Sequence, residues 1–199
     1  MSSFLGHTLA ALSTYSVEKQ PTSRNKMYWL GWLIVIASAP DIDHIIRSLR
    51  LTVNYQELRI THSFLLSLLL PFGTIIVLAL LGCKGRTLIT RSQQVILAGL
   101  SHLALDLLTG VNRLPLLWPF STETFKLSFG LLPSAGLLNP FNYYFYRNSL
   151  IEIGVLVPLV CIAFSLNSDA ITIHKPKIIR GGLLLISICF MVWAFSLNR

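Results

Sequence analysis

The chain has 199 residues, 53% of them hydrophobic and 12% charged, with a formal net charge of +8 and a mean hydropathy of +0.66. A soluble domain carries about 25% charged residues, so the composition excludes an ordinary soluble enzyme and implies a protein embedded in lipid. The basic residues are scattered through short connecting segments and do not line one helix face, so no nucleic-acid partner is expected.

Residues 4–16 predict a short interfacial or buried helix that carries His7 near its start. Residues 27–39 are apolar but fall short of the roughly 20 residues a spanning helix needs, which predicts a tilted, re-entrant or sheltered segment. It runs into Pro40-Asp41-Ile42-Asp43-His44, where the proline ends a helix and sets the next residues in a turn or at a new helix start. Thr61-His62-Ser63 opens residues 63–82, an apolar run of spanning length interrupted only by Pro71 and Gly73. Residues 92–111 form another candidate span, with His102 and Asp106 inside it, and residues 150–166 and 181–197 add two slightly shorter ones, the first containing Glu152.

The pattern predicts an all-α, multi-pass bundle of about four to six membrane helices, a single domain over residues 1–199 without internal repeat or linker. The start of the chain lacks the basic segment, long apolar stretch and small-residue cleavage site of a signal peptide, so His7 is expected in the mature protein. Cys83, Cys161 and Cys189 are odd in number and lack metal-knuckle spacing, which implies no disulfide framework; they read as packing residues. Trp118-Pro119-Phe120 and the run Phe141-Asn142-Tyr143-Tyr144-Phe145-Tyr146 read as interfacial anchors more readily than as the walls of a lipid cleft.

The segments 17–26, 83–91 and 167–180 are short and dense in lysine and arginine, which places them on the cytoplasmic side. His174 lies in the last of these and reads as a solvated loop residue. With that orientation His7, Asp41 to His44, His62 and Glu152 all fall toward the opposite face. At 1.5 Å per residue Asp106 lies about 22 Å beyond Arg91, past the middle of a hydrocarbon layer about 30 Å thick. A site near the non-cytoplasmic face is the expectation.

An acid-poor chain that sets aspartates beside histidines in apolar segments needs partners for them, because an ionised Asp near a bilayer centre costs roughly 2.5–3.5 kcal/mol. His102 and Asp106, four apart, share one helix face and can bind one ion; the plainer alternative is a hydrogen bond between helices, which needs no carboxylate. Asp41 and Asp43 repel unless a cation lies between them; helix capping accounts for only one of the two. His62 points from the first turn of its helix, and His44 is open to a role as ligand, outer donor or general acid. The candidate metal ligands are therefore His7, Asp41, Asp43, His62, His102, Asp106 and Glu152. Asp43 or His44 is the candidate for handling a proton.

At these residues the chain resembles the YdjM-like bacterial inner-membrane proteins, described as LexA-regulated, membrane-bound metal-dependent hydrolases. The resemblance rests on Gly6-His7, Pro40-Asp41-Ile42-Asp43-His44, Thr61-His62-Ser63, Gly99-Leu100-Ser101-His102 continuing to Asp106, Leu107, Leu108 and Thr109, and Leu116-Leu117-Trp118-Pro119. It covers about the first 120 residues, with Glu152 as a last element. It implies a location in the bacterial inner membrane and metal-dependent hydrolysis. The His102-xxx-Asp106 spacing is also similar, more distantly, to zinc-dependent phospholipase C and the P1-type nucleases, which implies phosphoester chemistry. The family's His-Arg-Gly before Thr-His-Ser is replaced here by Leu58-Arg59-Ile60, so one histidine is absent.

The leading expectation is a membrane hydrolase holding one to three divalent ions, zinc in particular for imidazole and carboxylate ligands, that attacks an ester or phosphoester, with a lipid among the candidate substrates, by activating water. Two other classes use the same residues. A metal or ion transporter requires a polar path into the cytoplasmic half, where the spans carry little beyond Ser and Gln. A catalytically silent scaffold requires only that the polar side chains hold helices or a partner. Oligomeric state is not encoded in any of these features.

Overall fold

The structure, a computed structural model, describes residues 3–16, 26–43, 59–134, 141–167 and 176–197. These form six α-helices: α1 (Phe4–Tyr15), α2 (Lys26–Ser38), α3 (Phe64–Leu80), α4 (Gly85–Leu108), α5 (Tyr143–Asn167) and α6 (Pro176–Phe195). Short 3-10 turns occupy Ala39–Asp41 and Ile60–His62. The described residues contain no strand, only an isolated bridge between Leu114 and Phe125.

Local chemistry sets the helix ends that later matter. The Ser3 hydroxyl accepts the Gly6 N–H at 3.1 Å and starts α1, and the Ser63 hydroxyl accepts the Leu66 N–H at 3.3 Å and starts α3. Pro40, with no N–H to give, turns the end of α2 into the 3-10 turn that carries Asp41. Beyond α4 the chain reverses at Gly110, whose φ of +60° suits glycine and where a Cβ would run into the Phe129 carbonyl.

α4 is the spine of the bundle. Its buried face, Gln94, Val95, Ala98, Gly99, His102, Leu103 and Asp106, repeats every three to four residues. α1, α2 and α3 all pack against α4, α1 also touches α2 and α5, and α5 pairs with α6. The middle of the bundle is apolar, built from Ala11, Leu33, Ile36, Ala37, Val95 and Ala98. Toward one end of that core, Trp29 Nε1 donates to Gln94 Oε1 at 2.7 Å and Gln94 Nε2 donates to the Tyr15 carbonyl at 3.1 Å, clipping α1, α2 and α4 together.

α5 and α6 are long and apolar enough to cross a membrane, over Tyr143–Leu166 and Lys177–Phe195; Phe64–Leu80 is equally apolar but shorter. Of the four to six spans expected, these two meet the requirement by length and composition. α1 and α2 are short, and α4 carries Arg86, Arg91, His102 and Asp106. The outer faces are greasy nonetheless: Leu69, Ile76 and Leu80 of α3 and Leu185 and Val192 of α6 are exposed, as are the aromatic Phe120 and Phe141.

Two expectations change. Residues 85–91, read as a loop, are the first turns of α4, held by the Thr90 hydroxyl donating to the Arg86 carbonyl at 3.0 Å and by the Arg91 guanidinium stacked 4.3 Å from the Trp29 ring. Cys161 and Cys189 lie on exposed helix faces and Cys83 is half-buried, all three free, so the cysteines do not serve as core packing. His174 lies outside the described residues.

Gly99 is where α4 touches α3: a Cβ there would stand 2.8 Å from the Ser67 carbonyl oxygen and 2.9 Å from Pro71 Cγ, both on rigid groups. In an open helix Gly→Ala gains roughly 1 kcal/mol; here crowding reverses the sign. Gly99→Ala is expected to lower the thermal unfolding midpoint in detergent by a few degrees, and Gly73→Ala, which meets nothing within 4 Å, to leave it unchanged or raised.

Candidate metal centre

At the end of the bundle opposite the Gln94 clip, four segments bring five polar side chains together. His7 comes from the first turn of α1, Asp41 from the turn after α2, His62 from the turn before α3, and His102 and Asp106 from the last two turns of α4. His7, His62, His102 and Asp106 are fully buried, and Asp41 is 26% exposed. One ligand atom from each of Asp41, His62, His102 and Asp106 lies within 4.8 Å of the others.

Three of the spacings approach those of donors around one ion. Two ligands about 2.0–2.2 Å from a common zinc at a tetrahedral angle stand roughly 3.3–3.6 Å apart. His62 Nε2 is 3.4 Å from Asp106 Oδ2 and 3.6 Å from Asp41 Oδ1, and His102 Nε2 is 3.8 Å from Asp41 Oδ1.

The tautomers are arranged to suit. His102 Nδ1 stands 2.7 Å from the Ala37 carbonyl, which can only accept, so the proton sits on Nδ1 and Nε2 turns its lone pair into the cluster. That Nε2, Asp41 Oδ1 and both nitrogens of His7 are buried without a hydrogen bond. Buried polar atoms are satisfied in nearly all native structures. Orphaned imidazole and carboxylate atoms facing one point therefore fit a divalent cation.

His62 is oriented from its other side. Its Nδ1 lies 3.0 Å from the Thr61 hydroxyl and 3.6 Å from Asp43 Oδ2, which leaves Nε2 to the cluster. Asp43 thus acts on the far nitrogen of His62 and lies outside the four-residue group. Glu152 is also outside it: buried on α5, it accepts the Ser3 N–H at 3.0 Å and so ties the start of α1, one turn before His7, to α5. His44, the other candidate for proton handling, lies outside the described residues.

Arg59 is the site residue that sequence reading missed. Its Nε lies 3.3 Å from Asp43 Oδ2, its Nη2 3.9 Å from Asp41 Oδ1 and its Nη1 3.9 Å from Asp106 Oδ2. The available signal was its position three residues before His62 in a chain with only eight acids.

Electrostatics at the rim express the same demand for a cation. Burial pushes the Asp41 carboxyl up, but contact with His62 and the charges of His102 and His7 outweigh it and hold Asp41 below the usual carboxylate range. Burial pushes His62 down, and its contacts with Asp106 and Asp41 reverse the sign, holding the imidazole above its usual value. Yet His62 Nε2 also lies 2.9 Å from Arg59 Nη2, a donor, so the same atom is asked both to carry a proton and to accept one. A metal ion at Nε2 takes the place of that proton and uses the same lone pair, so it binds with Arg59 Nη2 moved aside.

A family model described as YdjM inner membrane protein matches residues 1–196, and the chain belongs to that family. No curated protein and no solved structure matches it.

The four-residue group makes a direct prediction. Detergent-purified wild type, stripped and then titrated with zinc, is expected to bind it, and Asp106→Ala or His102→Ala to weaken the tightest binding by more than the roughly 10–100-fold that losing an outer partner costs. Equal affinity in wild type and both variants, measured by competition with a chromogenic chelator, would place the ion elsewhere.

Proposed function

We propose that this member of the YdjM family is a membrane-bound, metal-dependent hydrolase of phosphoesters, with a lipid as candidate substrate. In this reading it passes the bacterial inner membrane several times and holds its site toward the non-cytoplasmic face. The observation that carries the proposal is the convergence of Asp41, His62, His102 and Asp106 into one buried group with ligand spacing. Zinc is the favoured ion, because two imidazoles and two carboxylates suit its preferred donors.

The ion, when bound, supplies a Lewis acid that lowers the pKa of a water toward about 7 and stabilises developing negative charge. The protein supplies the rest. The Ala37 carbonyl holds His102 in the tautomer that turns its Nε2 lone pair to the ion, and Thr61 and Asp43 flank the far nitrogen of His62, whose Nε2 takes the ion once Arg59 Nη2 withdraws. The partly exposed members, Asp41, Asp43 and Arg59, mark the side from which substrate arrives. Arg59 presents a planar cation there, the group best matched to phosphate oxygens, and this favours a phosphoester over a neutral ester. Asp43, beside Arg59 and His62, is placed to accept the proton that the attacking water gives up.

Transport through the same residues is disfavoured by what lies beneath them. Ala11, Leu33, Ile36, Ala37, Val95 and Ala98 close the interior between the site and the Gln94 clip, leaving no polar path among the described residues. One observation favours a silent scaffold: Arg59 contacts three carboxylates and so supplies a cation of its own. Its contacts with Asp41 and Asp106 are 3.9 Å long, beyond hydrogen bonding, and Asp41 Oδ1 stays without a hydrogen bond. Arg59 alone does not satisfy the cluster.

Zinc-loaded protein in lipid–detergent micelles is expected to hydrolyse a model nitrophenyl phosphodiester or phospholipid, to lose activity to a chelator and to regain it with zinc. Arg59→Gln should lower kcat/KM for the phosphodiester by roughly 10²-fold, the scale of removing one donor to a developing charge, with a smaller effect on an uncharged carboxyl ester. Zinc-loaded wild type inert toward phosphodiester, phosphomonoester and carboxyl ester probes would sink the hydrolase reading.

A further inference from the structure

One buried imidazole, that of His7, stands beside the four-residue group. His7 Nε2 lies 3.6 Å from Asp41 Oδ2 and 4.0 Å from Asp106 Oδ1. The opposite oxygens of the same carboxylates, Asp41 Oδ1 and Asp106 Oδ2, are the ones that face His62 and His102. Each aspartate thus turns one oxygen to either side, as a carboxylate does when it bridges two cations.

His7 has no other employment. It is fully buried and neither of its ring nitrogens has a hydrogen bond. A core histidine held for packing donates or accepts at one nitrogen at least. Its ring is stacked on that of His102, with centroids 4.0 Å apart and planes 12° from parallel. Two imidazoles in such a stack repel if both become imidazolium, and they tolerate one another as neutral rings whose lone pairs each meet a cation.

We propose a second divalent-ion position, held by His7 Nε2, Asp41 Oδ2 and Asp106 Oδ1, beside the position formed by His62, His102, Asp41 and Asp106, with the two aspartates as bridges. It rests on reading the first position as a metal site. Parallel imidazoles 4.0 Å apart, each with Nε2 beside the same two carboxylates, set their ions about as far apart, and two-metal hydrolytic sites space their ions by roughly 3.5–4 Å. Such a pair clamps both the attacking and the leaving oxygen of an in-line displacement at phosphorus. Charge narrows the substrate class in the same direction. Two divalent ions and Arg59 exceed the negative charge of Asp41, Asp43, Asp106 and Glu152, so the loaded site attracts an anion, and a phosphodiester meets both demands.

Stoichiometry tests this apart from activity. Full-length protein in detergent is stripped with chelator, saturated with zinc, desalted and analysed for metal per chain. The expected result is two zinc ions in wild type and one in His7→Ala and in the bulkier His7→Gln. Manganese-loaded wild type should also give the electron paramagnetic resonance signal of an exchange-coupled pair, lost in His7→Gln. If His7→Ala fails to fold, the wild-type count, the coupled signal and His7→Gln decide. One zinc in wild type, with no coupled signal, overturns the second position and leaves the first standing. Two zinc ions retained in a folded His7→Gln overturn the assignment to His7. No zinc in wild type overturns the underlying metal reading as well.

Discussion

The architecture of one end of this protein depends on neutralising buried carboxylate charge. Asp106 is fully enclosed and Asp41 half-buried, within a few ångströms of each other and of three imidazoles. Two enclosed carboxylates repel strongly where little water screens them. Attraction to something positive is the condition under which α1, α2, α3 and α4 can bring their ends together at all. Arg59 meets part of that condition at the rim, and the imidazoles are turned to let a cation meet the rest.

That condition explains features that look like local detail. Ser3, Pro40 and Ser63 end or begin helices one to four residues from His7, Asp41 and His62, so each functional side chain leaves from a fixed helix terminus instead of a long loop. The Ala37 carbonyl, freed at the end of α2, takes the proton of His102. The Ser3 N–H, freed at the start of α1, takes the carboxylate of Glu152. Unsatisfied backbone groups at helix ends, ordinarily a cost, here set the orientation of the site.

The convergence of His7, Asp41, His62, His102 and Asp106 was legible because each is a costly residue in an apolar setting and their spacing puts them at one end of successive helices. The positions of Asp43 and Glu152 outside the four-residue group were not. A carboxylate on the far nitrogen of a histidine and one that ties down a helix start have the same sequence signature as a ligand. Arg59 escaped notice because its meaning comes from three aspartates contributed by other segments. The number of spans was legible only in part: α5 and α6 have the length and apolarity of crossing helices, while Phe64–Leu80 is shorter and α4 carries Arg86, Arg91, His102 and Asp106.

The brevity of α1 and α2 has a mechanical side. At 1.5 Å per residue they measure about 18 and 20 Å, against a hydrocarbon layer about 30 Å thick, while Phe4, Leu5, Tyr28 and Val35 on them are exposed. Where a bilayer meets that edge, keeping greasy side chains covered draws its two leaflets toward one another. On the proposed reading, such a dimple lowers polar headgroups toward the buried imidazoles without requiring any lipid to leave its leaflet, and thinner membranes present a lipid substrate more readily than thick, sterol-stiffened ones.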